Sequence, residues 1–255
     1  MNIVVFIKQT FDTEAKIVLD GSGKIDANGV NLIINPYDEF AIEEGLKLKE
    51  KLGGEVTVVS LGGARAQEAI RTALAMGADK GVLVSDPALD NSDEWNNAEV
   101  LAKAVSDIPY DIILAGRIAI DDGSSQVAVR IAESLNIPSV SSVLKLDVNG
   151  TQATVTREID GGTEVIEVGL PVVITAQKGL NEPRYPSVAG IMKAKKKPLK
   201  TMKLADLGFG DIAPKMNVDK FSLPTARKAG QVIPGEAAQA AQELARLLRE
   251  EAKVL

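Results

Sequence analysis

The chain contains no cysteine and no histidine. Those two absences remove disulfide frameworks, Cys or His zinc sites and any nucleophile paired with an imidazole, which leaves carboxylates, lysines and tyrosines for proton transfer. Aromatic residues amount to only 4%, and none is interleaved with the basic runs as a base-stacking surface requires. No run of about 18 apolar residues occurs, so no segment reads as a membrane span. The opening "MNIVVFIKQ" lacks the basic start, long apolar stretch and small-residue cleavage site of a secretory leader, and reads as a first strand. A lack of disulfides permits a reducing compartment, and a cytoplasmic location is expected. The formal charge of −6 argues against a general nucleic-acid binder.

With 255 residues, 45% hydrophobic and 25% charged, the chain has the composition of an ordinary globular protein. Up to Pro138, short β-branched runs alternate with helical periods. "NIVVFIKQ", "EVTVVSLGG", "KGVLVSD" and "DIILAGR" are rich in Val and Ile without strict polar alternation, as befits a parallel sheet buried on both faces. Helices are predicted from Asp38 to Leu52, stopped by Gly53-Gly54, and from near Ala64 to about Gly77, with Ala66, Ala69, Ile70, Ala73 and Leu74 on one stripe. Two more follow, from about Asn96 to Ile108 and from Ser124 to Leu135. Right-handed crossovers turn this pattern into an α/β fold, a doubly wound, mostly parallel sheet with helices on both faces.

After about residue 140 the runs "VSSVLKLDV", "TQATVTREI", "TEVIEVG" and "PVVITAQ" are punctuated by Asn149-Gly150 and Asp160-Gly161-Gly162, which favour tight hairpins. They predict an antiparallel addition over about 140–177. Periodicity then fades from Leu199 to about Gly235, until Ala237, Ala241, Leu244 and Leu248 form the apolar stripe of a last helix. The expected organisation is an α/β domain over 1–198, carrying the hairpins, and an extended arm over 199–255. The arm's stripe suits packing on another chain or return onto this chain's own core.

Two stretches read as candidate binding elements. In "DIILAGRIAIDDGSSQVAVRIAESL" a buried strand ends at Ala115-Gly116 and a helix starts near Ser124. Ligands in open α/β sheets sit beyond the carboxyl ends of strands, and free amides at a helix start favour phosphate. Gly123, Ser124 and Ser125 allow close approach, whereas Asp121 and Asp122 repel a phosphate unless they point away or cap the helix. In "INPYDEFAIEE", Asn35-Pro36 makes a turn and Asp38 can cap the helix that follows; this turn matters for binding only if it shares a cleft with residues 116–127. Arg157, Glu158, Asp160, Glu164 and Glu167, on the hairpin strands, read as solvated cross-strand pairs.

"NEPRYPSVAGIMKAKKKP" is irregular, with three prolines and a glycine, and puts apolar side chains directly before lysines. Val188, Ile191 and Met192 suit a partner's apolar pocket while Lys193, Lys195, Lys196 and Lys197 steer approach, with a solvated loop as the plain alternative.

"INPYDEFAIEE", "RTALAMGAD", "AGRIAIDDGSSQV", "VTREIDGGTEVIEVGLPVVITA" and "GLNEPRYPSVAGIMKAKKKPL" stand in the order and spacing of one family. The chain resembles the β, or small, subunit of electron-transfer flavoprotein. That resemblance implies an electron-carrier subunit without catalysis of its own. It implies a larger α subunit that carries FAD, acyl-CoA dehydrogenase-type electron donors and a quinone oxidoreductase as acceptor. It also implies structural AMP in the cleft, contacted by Phe6, by Asn35, Pro36, Tyr37 and Asp38, by Leu61, and by Gly116, Arg117, Ile118, Ala119, Ile120, Asp121, Asp122, Gly123, Ser124, Ser125, Gln126 and Val127. Residues 184–197, with Arg184 and Tyr185 at their start, correspond to the family's partner-docking loop. The usual anchoring leucine is replaced by Val188, one methylene smaller, worth about 0.8 kcal/mol. Many members have Asn where this chain has Ser125, before Gln126. Some relatives bind a second FAD here and bifurcate electrons, although the "REIDGG" hairpin and the docking loop resemble the AMP-binding kind more closely. A stand-alone adenine-nucleotide-binding enzyme is the rival of another class; it needs a triphosphate cradle, and no glycine-rich loop follows the first strand.

Overall fold

The computed structural model describes residues 1–90, 92–226 and 229–255. They divide into two compact units, one of Met1–Ile17 with Asp26–Asp219 and one of Val18–Ile25 with Lys220–Leu255.

The first unit is the α/β body. Its strands are β1 (Asn2–Ile7), β2 (Gln9–Phe11), β3 (Leu32–Ile34), β4 (Glu55–Leu61), β5 (Lys80–Val84), β6 (Ile112–Gly116), β7 (Ser139–Asn149), β8 (Gln152–Ile159), β9 (Gly162–Gly169), β10 (Val172–Ala176) and β11 (Leu199–Met202). Helices α1 (Pro36–Leu52), α2 (Ala66–Met76), α3 (Glu94–Val105), α4 (Val127–Ser134) and α5 (Val188–Ala194) connect them. A nine-stranded sheet runs β11-β5-β4-β1-β6-β10-β7-β8-β9, and β2 with β3 makes a small antiparallel pair. The pairs from β11 to β7 are parallel, and β7-β8 and β8-β9 are antiparallel.

Alternation along the central strands builds two cores, one on each face. Ile3, Val5 and Ile7 of β1 and Ile112 and Leu114 of β6 face α1 and α2 residues such as Ile42, Leu46 and Ile70. Val4, Phe6, Ile113 and Ala115 face the other way, onto Ala98, Leu101 and Ile131 of α3 and α4. This is the doubly wound architecture expected from uninterrupted Val/Ile runs.

The hairpins expected at the Gly turns are present, with Gly150 at φ 59° and Gly161 at φ 83°. "PVVITAQ", however, is not part of the antiparallel addition. Its strand β10 is buried throughout and lies parallel to both β6 and β7. The expected boundary at residue 198 also moves. Leu199–Met202 pair with Gly81–Val84 as an edge strand, and the body continues to Asp219. In the second unit, Leu19 bridges Ile25 around a turn closed by Asp20, and α6 (Ala237–Glu250) has no buried residue.

Candidate functional site

The strand order reverses at β1, which lies between β4 and β6. Beyond the carboxyl ends of these strands is a cleft of ≈ 250 Å³, lined at its floor by Phe6, Leu61 and Ala115. Such a topological switch point is where open α/β sheets bind ligands.

The two candidate stretches meet here. Asn35 precedes α1, where Pro36 supplies a preset φ and no amide to satisfy. The Asn35 side chain donates Nδ2 to the Ile118 carbonyl at 2.9 Å and accepts the Ile120 amide on Oδ1 at 3.2 Å, which fastens the α1 turn to the loop after β6. Asp38 does not cap α1 as expected. Its carboxylate accepts the Lys8 amide at 2.6 Å and the Gly116 amide at 2.9 Å, joining the ends of β1 and β6. Position 116 must be glycine: a Cβ there would lie 2.2 Å from Asp38 Oδ1 and 2.8 Å from the Tyr37 backbone. Burial pushes the Asp38 carboxyl up to about 7, despite the two amides.

The aspartates that would repel an anion are occupied. Lys8 Nζ reaches Asp121 at 2.8 Å and Asp122 at 2.7 Å, and Asp122 also accepts the Ser124 amide at 2.8 Å. Burial drags the Lys8 ammonium down, but the two carboxylates more than reverse this and leave its pKa raised. For Asp122, burial pulls upward and Lys8 and Ser124 outweigh it, so its pKa is lowered. Neither aspartate caps α4, which starts at Val127 rather than Ser124.

Before α4 the chain turns sharply, with Gly123 at φ 67° and Ser125, a non-glycine, at φ 55°. A left-handed serine costs about 1–3 kcal/mol, and such conformations cluster at ligand clamps. Gln126 provides no side-chain cap. Among the described residues, no acceptor meets the amides of Ser125, Gln126, Val127, Ala128 or Val129. Arg117 lines the same cleft half-buried, without an ion pair among the described residues. Five free amides and a guanidinium at the end of a strand are a donor set suited to phosphate.

Phe6, Asn35, Asp38, Leu61, Gly116, Arg117, Ile118, Ala119, Asp122, Ser124, Ser125, Gln126 and Val127 all line the cleft. Pro36, Tyr37, Ile120, Asp121 and Gly123 are not part of its lining. The wall also includes Lys8, Ser92, Glu94 and Asn97, which sequence reading missed. Their only signal was position, at the end of β1 and at the start of α3. Of the hairpin charges, Arg157 opposes Glu164 across the strands, with 3.9 Å between their charged atoms, whereas Glu158 accepts from Gln177 Nε2 at 2.5 Å and Asp160 and Glu167 make no ion pair among the described residues.

The docking stretch has an anchored frame and an exposed face. Ser187 caps α5 by accepting the Gly190 amide at 3.0 Å, a short helix within the stretch expected to be irregular. Gly190 lies against α2, where a Cβ would meet the Ala75 carbonyl oxygen at 2.3 Å. Arg184 does not face outward. It grips buried Glu43 at 2.8 Å and Glu50 at 2.6 Å on α1. Lys197 is likewise turned inward, donating to the Leu74 and Ala78 carbonyls at 2.9 and 2.5 Å at the end of α2, and burial lowers its pKa. Arg71 returns the contact by donating to the Ala194 and Lys197 carbonyls at 2.7 and 2.9 Å. Tyr185, Val188, Ile191 and Met192 remain exposed, at 93%, 81%, 49% and 60%, and Lys193, Lys195 and Lys196 are exposed beside them.

The fold and cleft define a doubly wound α/β domain with a ligand-sized cleft at its strand switch point and an apolar, cationic surface helix. Residues 22–207 match the family model described as "Electron transfer flavoprotein domain". The chain is 50% identical to the electron transfer flavoprotein subunit beta of Bacillus subtilis (strain 168), over 100% of both chains. It is 49% identical to that of Syntrophomonas wolfei, over 100% of this chain and 98% of the relative. It is 40% identical to that of Homo sapiens, over 90% and 91%. The chain belongs to the electron transfer flavoprotein family, among its beta subunits. No helix of the described residues is long and apolar enough to cross a membrane.

Proposed function

We propose that this chain is the flavin-free half of a two-subunit electron carrier that holds AMP in the cleft and presents α5 to acyl-CoA dehydrogenase-type donors. An α subunit would hold FAD, whose chemistry when bound would be electron carriage from the donor toward a quinone oxidoreductase. The observation that carries the nucleotide reading is the donor set of Arg117 and the unpaired amides from Ser125 to Val129. Phosphate binds there, ribose and base extend along Phe6, Leu61 and Asn35, and the Lys8 ion pairs offset the charge that Asp121 and Asp122 would otherwise turn on the anion.

The cleft's ≈ 250 Å³ is just below the range of about 300–1,000 Å³ usual for small-molecule sites. That size accommodates a mononucleotide. The chain's role in transfer is to bind and orient. Filling the cleft ties β1, β6 and α4 into one platform, and the exposed α5 side chains tether the donor beside the flavin subunit. To test this, the complex with its α subunit is purified and denatured, and the released nucleotides are identified. One AMP with one FAD is expected; two FAD and no AMP would overturn the assignment in favour of a bifurcating relative. Magnesium-dependent ATP turnover by the isolated chain would point to the stand-alone enzyme instead.

A further inference from the structure

Trp95 is the only tryptophan in the chain, and two cations lie over its ring. Lys215 Nζ is 3.6 Å and Arg130 Cζ 4.9 Å from the ring centroid, the attraction expected between a cation and an indole face. The two cations belong to elements with different tasks. Arg130 is on α4, where its Nε donates at 2.8 Å to Gln126 Oε1, on a side chain that lines the cleft. Lys215 belongs to the segment that follows β11.

That segment is fastened to the start of α3. Asp93 Oδ2 accepts the amides of Lys215 and Met216 at 2.5 and 2.9 Å, and Asn96 Nδ2 donates to the Ala213 carbonyl at 2.9 Å. Asp93 also caps α3, its Oδ1 accepting the Asn96 amide at 2.9 Å. The neighbours Ser92, Glu94 and Asn97 face the cleft. Contacts along this short stretch are thus shared between the cleft and the segment, so a ligand that shifts Ser92, Glu94 or Gln126 acts on a support the segment also uses.

We propose that Trp95, Arg130 and Lys215 couple filling of the cleft to fastening of residues 213–216, so that each state favours the other. The proposal rests on reading the cleft as a nucleotide site. It gives Lys215, which does not line the cleft, a measurable influence on nucleotide affinity, because coupling between two sites is reciprocal.

The test titrates the full chain with AMP. Trp95 emission and tryptic cleavage after Lys215 are followed, and binding is measured in parallel by equilibrium dialysis. AMP is expected to shift the emission and slow the cleavage, and Lys215→Gln is expected to lower AMP affinity about fivefold, the low end of measured couplings. If AMP binds with emission and cleavage both unchanged, the coupling is overturned and the nucleotide reading stands. Unchanged affinity in a folded Lys215→Gln variant also overturns it. A chain that binds no AMP overturns both. Should the variant fail to fold, the emission and cleavage readouts on the parent chain decide alone.

Discussion

Gly190 of α5 touches the Ala75 carbonyl of α2 so closely that a Cβ would lie 2.3 Å from the oxygen. The obstacle is backbone, so it cannot rotate away. Gly190→Ala is expected to push α5 off α2, with a stability loss of about 1–3 kcal/mol as for other overpacked contacts. Slower reduction by a dehydrogenase should accompany a lowered urea midpoint, with AMP content unchanged. Full docking activity in a stable variant would show that α5's seat does not matter.

Val188 tests the face rather than the seat. At 81% exposure it contributes little to folding, so Val188→Asp should leave stability and nucleotide content intact. A carboxylate forced into an apolar pocket should cost docking about 2 kcal/mol or more, in the range of interface hot spots. Equal rates of donor-driven reduction for variant and parent would remove Val188 from the interface.

Arg184, at the start of the expected docking loop, neutralises Glu43, which is buried at 5% exposure. Arg184→Ala strands that carboxylate. Breaking a fully buried pair costs about 3–5 kcal/mol, and because the Arg184 side chain is 36% exposed, a discounted loss of about 2 kcal/mol is expected. Arg184→Lys should recover only part of it, since an ammonium cannot reproduce the forked contacts to Glu43 and Glu50. A thermal midpoint unmoved in Arg184→Ala would contradict this strut role.

Asp38 sets a pH dependence. With its carboxyl at about 7 through burial, the native state keeps a proton that the unfolded chain releases near pH ~4. Stability from this group is therefore present below about pH 4. It falls as pH rises to about 7, by at most about 1.4 kcal/mol per pH unit, and is level above. Asp38→Asn should lack that slope. Urea unfolding of parent and variant between about pH 5 and 8 reads it directly, and parallel curves would exclude Asp38 as the titrating group.

Much of the body was legible in the sequence because its central strands are buried on both faces and so appear as unbroken Val/Ile runs. The pairing of β10 is not legible, since "VVITA" has the same composition whether its neighbour is parallel or antiparallel. α5 and β11 escaped notice at 7 and 4 residues, too short for a period to show. Both owe their places to distant partners, Ala75 for Gly190 and Gly81 for Leu199. Within the site, the loop from Gly116 to Val127 was legible as a candidate binding loop, because it follows a buried strand and precedes a helix. The reach of Asn35 across to it entered only through resemblance. Lys8, Ser92, Glu94 and Asn97 could not be found from spacing, because the strand order that puts β1 between β4 and β6 brings them to the cleft.

The edge strand β11 changes what the exposed helix can bear. Between Arg184, clamped to α1, and Leu199–Met202, hydrogen-bonded along β5, α5 is a bridge pinned at both banks. A partner that tugs on it loads the sheet's own ladder instead of stretching a tether. Load on α5 passes into paired strands, so its exposed face keeps a fixed orientation to the sheet.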